Sequence, residues 1–378
     1  MKRIGWALML VLAASPAWAA KKLTVQQLKD LLVSLHQANK TDAEVAAELT
    51  EVELSEELSR STMNSLAGSV SGQLTTEQLF ILEARSAMLA PPAADLPATP
   101  APDAATQKAI LDKAADYASK TYKQLPKVIG TKATRRFQDN QQLAEGSTAA
   151  HSSTTVLAAM PPIRYMAGTE TTVTSQDGVE QTPADKTQWG ANGMIAMLGQ
   201  GPVLSTVMQE AQAAGKINWV RWETVIDHNA AVYSFAVDKK ISHYAVNYCC
   251  FPETTQGGEM TMRGTSQPGG PGNYNLNANW KNYRATVPYH GEIFVDPETG
   301  VVLRLITQAD FKSSEWVRQE DQRIDYGTET VGGKTLVLPS RSIIDTLEMP
   351  YGDNPKGRFV FRHTLFTSEY TDYQAATN

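Results

Sequence analysis

Two β-hairpins constrain the fold of this chain more than any other feature of its sequence. The first, at 291–305, turns at Asp-Pro-Glu-Thr-Gly, where Pro297 presets φ and Gly300 accepts a positive φ. The second, at 322–343, turns at Gly332-Gly333, a pair that is typical of tight hairpins. Together they predict an antiparallel meander in a curved sheet, rather than a nucleotide-binding α/β core.

The first 20 residues have the pattern of a cleavable signal peptide. Lys2 and Arg3 precede an apolar stretch from Ile4 to Ala14, and Ala17-Trp18-Ala19 fits a small-x-small cleavage site. The stretch is shorter than the ~20 apolar residues of a membrane-spanning helix, so a retained anchor is the less favoured alternative. We expect cleavage near Ala19, no transmembrane span, and a periplasmic or secreted protein.

The charge balance is acidic. The full sequence has 34 basic and 40 acidic residues, for a net charge of −6. Loss of Lys2 and Arg3 with the signal peptide leaves 32 against 40, a net charge near −8. An acidic chain of this kind has no electrostatic reason to bind nucleic acid.

Residues 21–89 have helical patterns. The apolar stripe from Leu28 to Leu35 predicts one helix, and Thr41 with Glu44 forms a capping box that begins a second. Further helices are predicted over 54–66 and 76–89. This region is either a packed helical subdomain or a module that docks a protein partner through its helices.

The next 17 residues, 90–106, are rich in proline and alanine and predict a semi-rigid linker, because five prolines cannot sustain a helix. Residues 107–378 form the last predicted unit, which begins with a helix over 107–125. A second helix is expected near 202–214, and the glycine-rich stretch 265–274 is expected to be a loop. The candidate strands of this unit are 131–137, 153–159, 163–166, 171–175, 219–226, 231–237, 242–250, 359–366 and 368–373, besides the two hairpins.

The order of these motifs resembles that of a known superfamily. The segments GEIFVDPETGVVLRL and IDYGTETVGGKTLVLPSRSI, with TRRF at 134–137, INWVRWETV at 217–225 and SHYAV at 242–246, resemble the periplasmic lipoprotein-carrier (LolA/LolB-like) half-barrels. They are more similar to an uncharacterised exported bacterial subgroup of that superfamily. The resemblance implies an α+β fold in which a strongly curved antiparallel sheet wraps one or two helices, with an apolar cavity for acyl chains. The N-terminal helical region departs from the carriers.

Four aromatic residues are the candidate ligand-binding set: Trp219, Trp222, Tyr233 and Phe235. Strand alternation predicts that Trp219 and Trp222 point to opposite faces, whereas Tyr233 and Phe235 share one. Such a surface can hold a lipid or can bury the inserted helix, and the second interpretation is favoured. Cavity volume distinguishes the two, since ligand pockets hold about 300 Å³ or more.

No catalytic, metal-binding or cofactor motif is recognisable. The six histidines are scattered without metal-site spacing, and neither a Gly-x-Ser-x-Gly elbow nor a P-loop occurs. The only cysteines, Cys249 and Cys250, are adjacent. They could form a strained vicinal disulfide, remain free thiols or bridge two chains.

The sequence therefore favours an exported, non-enzymatic binding protein that carries or senses a lipid or lipidated ligand. The alternative is a structural or interaction protein of the cell envelope, in which the half-barrel is filled by its own side chains and the N-terminal helices dock a protein partner. A hydrolase would need a convergent acid, base or nucleophile. Val302 and Leu336 are expected to face the core of the sheet.

Overall fold

The computed structural model describes ten stretches of the chain. They are residues 21–69, 72–139, 163–181, 196–197, 201–225, 227–252, 280–312, 315, 317–351 and 360–376. The predicted signal peptide, the candidate strand 153–159 and the predicted loop 265–274 lie outside the described residues.

The N-terminal region combines helices with one short strand pair. Its elements are β1 (Lys21–Leu23), α1 (Val25–Gln37), α2 (Asp42–Thr50), β2 (Val52–Leu54), α3 (Arg60–Ser69) and α4 (Gln73–Ser86). The capping box of Thr41 and Glu44 is confirmed at the start of α2, and Thr24 with Gln27 forms another at α1. Each box satisfies backbone N–H groups that a helix start leaves unpaired.

Two predictions for this region were wrong in detail. Val52–Leu54, assigned to the helical pattern, is a strand that pairs in parallel with β1, and α3 begins only at Arg60. Val52 and Leu54 both face the core and Glu53 between them is exposed, which is the two-residue period of a strand rather than that of a helix. The fourth helix is α4, which begins and ends three residues earlier than the predicted 76–89.

The remaining helices and strands follow the proline-rich segment. They are α5 (Ala104–Asp116), β3 (Val128–Asp139), β4 (Ile163–Gln176), β5 (Val179–Gln181), β6 (Ala196–Met197), α6 (Leu204–Ala214), β7 (Ile217–Val225), β8 (His228–Val237), β9 (Ala245–Pro252), β10 (Trp280–Thr286), β11 (Tyr289–Val295), β12 (Val302–Ala309), β13 (Val317–Val331), β14 (Lys334–Tyr351) and β15 (Val360–Ala375). The predicted helix 107–125 is not one α-helix, because α5 gives way to a π turn at Tyr117–Thr121 and a 3₁₀ turn at Tyr122–Gln124.

Ten strands form one large antiparallel sheet, so the predicted α+β class with a large antiparallel sheet is confirmed. Their order is β5-β4-β3-β15-β14-β13-β12-β11-β8-β7. Both predicted hairpins are present, as β11–β12 and β13–β14. Two pairs of predicted strands are each continuous, since 163–166 and 171–175 belong to β4, and 359–366 and 368–373 belong to β15. A smaller antiparallel sheet has the order β10-β9-β6.

The turns explain why the hairpins form at these positions. Val331 and Lys334 are paired across Gly332 and Gly333, which have φ of 57° and 76°. A two-residue loop with positive φ at both positions matches the twist of the flanking strands. At the β11–β12 turn, Gly300 has φ of 76° and a Cβ there would lie 2.6 Å from Lys113 of α5.

The sheet is covered on both faces, and β8 shows the division. Ala231, Tyr233, Phe235 and Val237 share a core with residues of α5 and α6, and we call this side the helix face. Ala230 and Val232 point the other way and cluster near Met88, which follows α4. That side is the N-terminal face, where Ile81 and Ala84 of α4 pack on Phe137, Ile343 and Leu365.

Candidate functional site

Three of the four predicted ligand-binding aromatics form one cluster on the helix face. The ring centroids of Trp219 and Trp222 lie 4.9 Å apart, and those of Trp219 and Tyr233 lie 5.5 Å apart. We call these three residues the aromatic cluster. The prediction that the two tryptophans point to opposite faces was wrong. The pairing of β7 with β8 shifts register between Trp219 and Arg221, and an extra residue at such a bulge reverses the alternation.

The two predicted ligand-binding aromatics on β8, Tyr233 and Phe235, are less exposed to solvent than the tryptophans. Tyr233 and Phe235 are only 1% and 3% exposed, whereas both tryptophans are half-buried. The Tyr233 hydroxyl donates to the Gln107 carbonyl at 3.0 Å, and burial raises its pKa to about 12. Phe235 stacks edge-on against Tyr289 instead. Tyr233 and Phe235 are thus core residues, and only the tryptophans can meet a ligand.

The proline-rich segment lies against this cluster. The Trp222 indole N–H donates to the Pro100 carbonyl at 2.9 Å. Met88 packs on the N-terminal face and Ile110 of α5 on the helix face, so residues 90–103 cross from one face to the other beside β7. β7 is an end strand of the sheet, and a proline-rich chain beside it cannot continue the sheet because proline lacks the N–H.

The segment contains a short 3₁₀ turn, Ala93–Asp95, in which the Asp95 N–H donates to the Pro92 carbonyl at 2.9 Å, and the backbone is extended on either side of it. Pro92 has φ −51° and ψ 139°, Leu96 has −79° and 137°, and Asp103 has −65° and 163°. These values lie near the polyproline II region, in which the chain makes no internal hydrogen bonds and leaves its carbonyls free for other donors. Asp103 then caps α5 by accepting from the Thr106 N–H at 2.7 Å.

A second notable feature is a buried row of polar side chains near one end of the sheet. Glu320, Thr346, Thr364 and Gln138 are directly opposite one another on β13, β14, β15 and β3. All four are at most 2% exposed. Residues directly opposite in antiparallel strands share a face, so they form one row, which we call the polar row.

The polar row is covered by tyrosines from the segment that includes β9. The hydroxyls of Tyr244 and Tyr248 face Glu320 without completing a hydrogen bond of normal geometry. Burial raises the pKa of Glu320 to about 7, and the neighbouring Glu348 and Asp321 charges act in the same direction, while the two hydroxyls oppose it. Near neutral pH this carboxyl therefore changes protonation inside the protein.

The N-terminal face carries a different arrangement, an arginine network of four guanidinium groups and five carboxylates. Its members are Arg221, Arg304, Arg323, Arg341, Glu57, Glu83, Glu223, Glu292 and Asp325. Arg341 holds Glu83 of α4 by two bonds of 2.6 Å. Arg323 reaches Glu57 at 2.6 Å and also donates to the Ala87 carbonyl at 3.0 Å. These bonds join the N-terminal region to the middle strands of the sheet.

The arginines of the network oppose the effect of burial on the pKa values of its carboxylates, and the outcome differs between Asp325 and Glu223. Burial alone would raise the pKa of Asp325, but Arg304 at 2.6 Å and Arg323 at 3.1 Å outweigh it and hold this pKa below its usual value. Burial dominates at Glu223, whose pKa is raised despite Arg304 and Arg221. Glu223 is only 4% exposed, so this carboxylate is a buried member of the network.

The core between helices and sheet is well filled where it is described. A cavity beside Tyr122, Tyr326 and Tyr370 holds about 40 Å³. That is room for about one or two water molecules and far less than the ~300 Å³ of a typical ligand pocket. Val207 and Ala211 of α6 are completely buried against the sheet and fill this part of the core.

Other arrangements of titratable side chains are few within the described ranges. No three His, Cys, Asp or Glu side chains there converge as they would around a metal ion. Asp321 and Asp345 are directly opposite on β13 and β14, and burial together with the Asp345 charge raises the pKa of Asp321 to about 6, against the hydrogen bonds from Gln308 and Gln319. Cys249 and Cys250 belong to β9, but their side chains are outside the described part, so the disulfide stays a prediction.

None of the helices in the described stretches combines the length and apolar character that crossing a membrane requires.

Comparison with known proteins identifies no relative. No family model, no curated protein and no solved structure matches this chain. The likeness to the LolA/LolB-like half-barrels therefore stays a prediction.

Local signals for the arginine network are weak. Arg304 and Arg341 lie in strands close to apolar or β-branched residues, as in VVLRLIT and PSRSII, whereas Arg323 lies among polar residues in EDQRID. A charged residue in a strand centre indicates a buried partner when both faces of the sheet are covered. The partners Glu57 and Glu83 come from a distant part of the chain, so the sequence alone could not pair them.

Proposed function

We propose that this chain is an exported, non-enzymatic interaction protein. In this proposal the large sheet curves around α5 and α6 as a half-barrel and is filled by the protein's own side chains. The scaffold then presents surface features to a protein partner. This is the interaction alternative from the sequence, with one change: α4 packs on the sheet of its own chain, so its inner face does not serve a partner.

The observation that carries the proposal is the filling of the helix face. Leu204, Val207, Met208 and Ala211 of α6 are all 2% exposed or less and belong to the same core as β8 and β11. An acyl chain cannot enter space that such side chains already fill, so it could not bury its CH₂ groups there, each of which would contribute about 0.8 kcal/mol. The buried Glu320 gives no argument for hydrolysis, since it is 2% exposed beneath Tyr244 and Tyr248.

A second candidate is the binding of a lipid or lipidated ligand. One observation favours it, namely the half-buried tryptophan pair of the aromatic cluster beside the end of the sheet. Aromatic side chains with apolar rings and a polar N–H are common where an apolar ligand meets water. On this view the acyl chain would lie along Trp219 and Trp222 rather than inside the core.

Ligand content distinguishes the two candidates. The full chain is expressed with its N-terminal segment in a bacterial host, recovered from the periplasm, and analysed by native mass spectrometry and by organic extraction. We expect the mass of the polypeptide alone and no saturable binding of a fluorescent fatty acid. A matched variant, Trp219→Phe with Trp222→Phe, serves as the control. Co-purified lipid, or fatty-acid binding that this variant loses, would overturn the proposal in favour of carriage.

A further inference from the structure

We propose that the aromatic cluster is a binding site for polyproline II segments, which residues 96–102 of the chain itself occupy and for which a proline-rich segment of a partner protein competes. This inference rests on the proposed interaction function and names the chemistry of its partner. The site is Trp219 and Trp222, supported from below by Tyr233.

The contact already present is the one such recognition requires. A polyproline II chain has no internal hydrogen bonds, so its carbonyls accept from an external donor. The Trp222 indole supplies that donor to Pro100 at 2.9 Å. Aromatic-lined surfaces with such a donor are a recurring means of binding proline-rich segments, because the ligand loses little conformational entropy on binding.

The aromatic surface is rigid before any partner arrives. The bulge in β7 places both indoles on one side, with an interplanar angle of 73°. Tyr233 packs edge-on against Trp219 at 84° and is itself fixed by its bond to the Gln107 carbonyl. A preorganised site of this kind reduces the entropy lost on association.

The middle of the linker is exposed to solvent, whereas both of its ends are fixed by hydrogen bonds. Pro100 is exposed, and the residues on either side of it, Thr99 and Ala101, are exposed as well. At one end Ala90 accepts from the Glu57 N–H at 2.8 Å, and at the other Pro102 accepts from the Gln107 side chain at 2.8 Å. A competitor needs to displace only the exposed middle, without unfolding either anchored end.

The linker also indicates which segments fit. In Leu96-Pro97-Ala98-Thr99-Pro100-Ala101-Pro102 the prolines are separated by small residues. Pro97 and Pro102 are half-buried, whereas Pro100 and the small residues are exposed. The buried contacts therefore come from Pro97 and Pro102, and Pro100 contributes the carbonyl that accepts from Trp222. The expected partner segment is extended, carries prolines three residues apart, and has small side chains between them.

A peptide competition tests the inference. The probe is a synthetic peptide with the sequence of residues 94–103, titrated calorimetrically into the full chain and into a released variant with Pro97→Gly, Pro100→Gly and Pro102→Gly. The apparent Kd of the peptide equals its intrinsic Kd divided by the fraction of sites that the linker leaves free. We therefore expect the released variant to bind the peptide at least about tenfold more tightly than the unmodified chain. Adding Trp222→Phe to the released variant removes one hydrogen bond and should weaken binding about fivefold.

A peptide with its prolines replaced by glycine is the matched control and should not bind. The indole N–H signal of Trp222, assigned by its loss in Trp222→Phe, should shift in the released variant and return when peptide is added. Absence of binding to a released variant that melts like the unmodified chain would overturn the inference, as would binding that Trp222→Phe leaves unchanged. Co-purified lipid would overturn the proposed function whatever the peptide does, so the two failures are distinguishable.

Discussion

The two faces of the large sheet are covered by opposite kinds of chemistry. On the helix face, α5 and α6 bury aliphatic and aromatic side chains, among them Val302, Val207 and Tyr289, at 0% exposure. On the N-terminal face, Glu57 and Glu83 meet arginines of the central strands through short charged hydrogen bonds. Apolar residues take part there too, but in smaller clusters around Ile81 and Met88.

The apolar helix face mainly stabilises the fold, whereas the charged N-terminal face mainly determines where the N-terminal region packs. Burial of apolar surface is non-directional and contributes about 25 cal/mol per Å², so the helix face supplies the larger part of the driving force. In buried ion pairs the cost of desolvation offsets much of the Coulomb attraction, yet few other arrangements of the packed elements would keep the charges paired. The arginine network therefore fixes where the N-terminal region sits, with little net stabilisation.

The largest expected effect is on the helix face. Val302→Asp places an unpaired carboxylate at a position of 0% exposure and should cost more than about 4 kcal/mol, enough to unfold the chain. Leu336, also expected from the sequence to face the core, is only half-buried, so Leu336→Asp should cost less. Thermal and urea unfolding followed by circular dichroism measures both. Equal losses for the two variants would contradict the burial difference.

The next effect is on the N-terminal face. Glu83→Gln removes the closest charge partner of the buried Arg341 and leaves it the longer pair with Glu369 at 3.8 Å, so it should cost about 3 kcal/mol. The double variant Glu83→Leu with Arg341→Leu should recover most of that loss, because it removes both buried charges. The exposed pair Lys108–Asp112 is the control, where Asp112→Asn should change stability by less than about 0.5 kcal/mol. A double variant as unstable as Glu83→Gln would mean that the pair drives folding.

The smallest effect is a pH dependence that arises from Glu320. Its pKa is raised from 4.5 to about 7 on folding, so between these values the folded state binds the proton that the unfolded state has lost. Stability from this group is therefore complete below about pH 4.5 and is lost as the pH rises through about 7. Glu320→Gln should remove this slope and stabilise the protein at pH 8 by on the order of 1–3 kcal/mol. Urea unfolding at pH 5 and pH 8 measures it, and parallel slopes in both proteins would contradict the assignment.

Asp325 of the arginine network should respond to pH in the opposite sense. The pKa of Asp325 is held below its usual 3.8 by Arg304 and Arg323, so its contribution is present above pH 3.8 and is lost as the pH falls further. Acid thus removes the contribution of Asp325 while it favours the protonated form of Glu320, so these two carboxyls differ in the sign of their pH dependence. Glu223 of the same network, whose pKa is raised by burial, follows Glu320 rather than Asp325.

Local chemistry explains which parts of the structure could be predicted. The Gly332-Gly333 turn and the Thr41 capping box depend on a few adjacent residues, so both were predictable. The side on which Trp222 lies depends on a bulge set by pairing with β8, which strand alternation cannot reveal. The aromatic cluster was therefore predicted by residue type but not by geometry. Contacts such as Glu57 with Arg323 join residues 266 positions apart and carry no local signal.

The place of β15 in the sheet has a consequence for how the chain folds. This strand, the last one described, lies in the interior between β3 and β14, so that Thr371 pairs with Thr131. β3 and β15 are thus neighbours in the sheet but far apart in the chain, and the β5-β4-β3 group has no link to the rest of the sheet until β15 is made. Pairing of strands this far apart in the chain slows folding, because the loop-closure entropy is lost before the stabilising contacts form. A nascent chain that lacks its last strand should therefore leave this group of strands unattached to the remainder of the sheet.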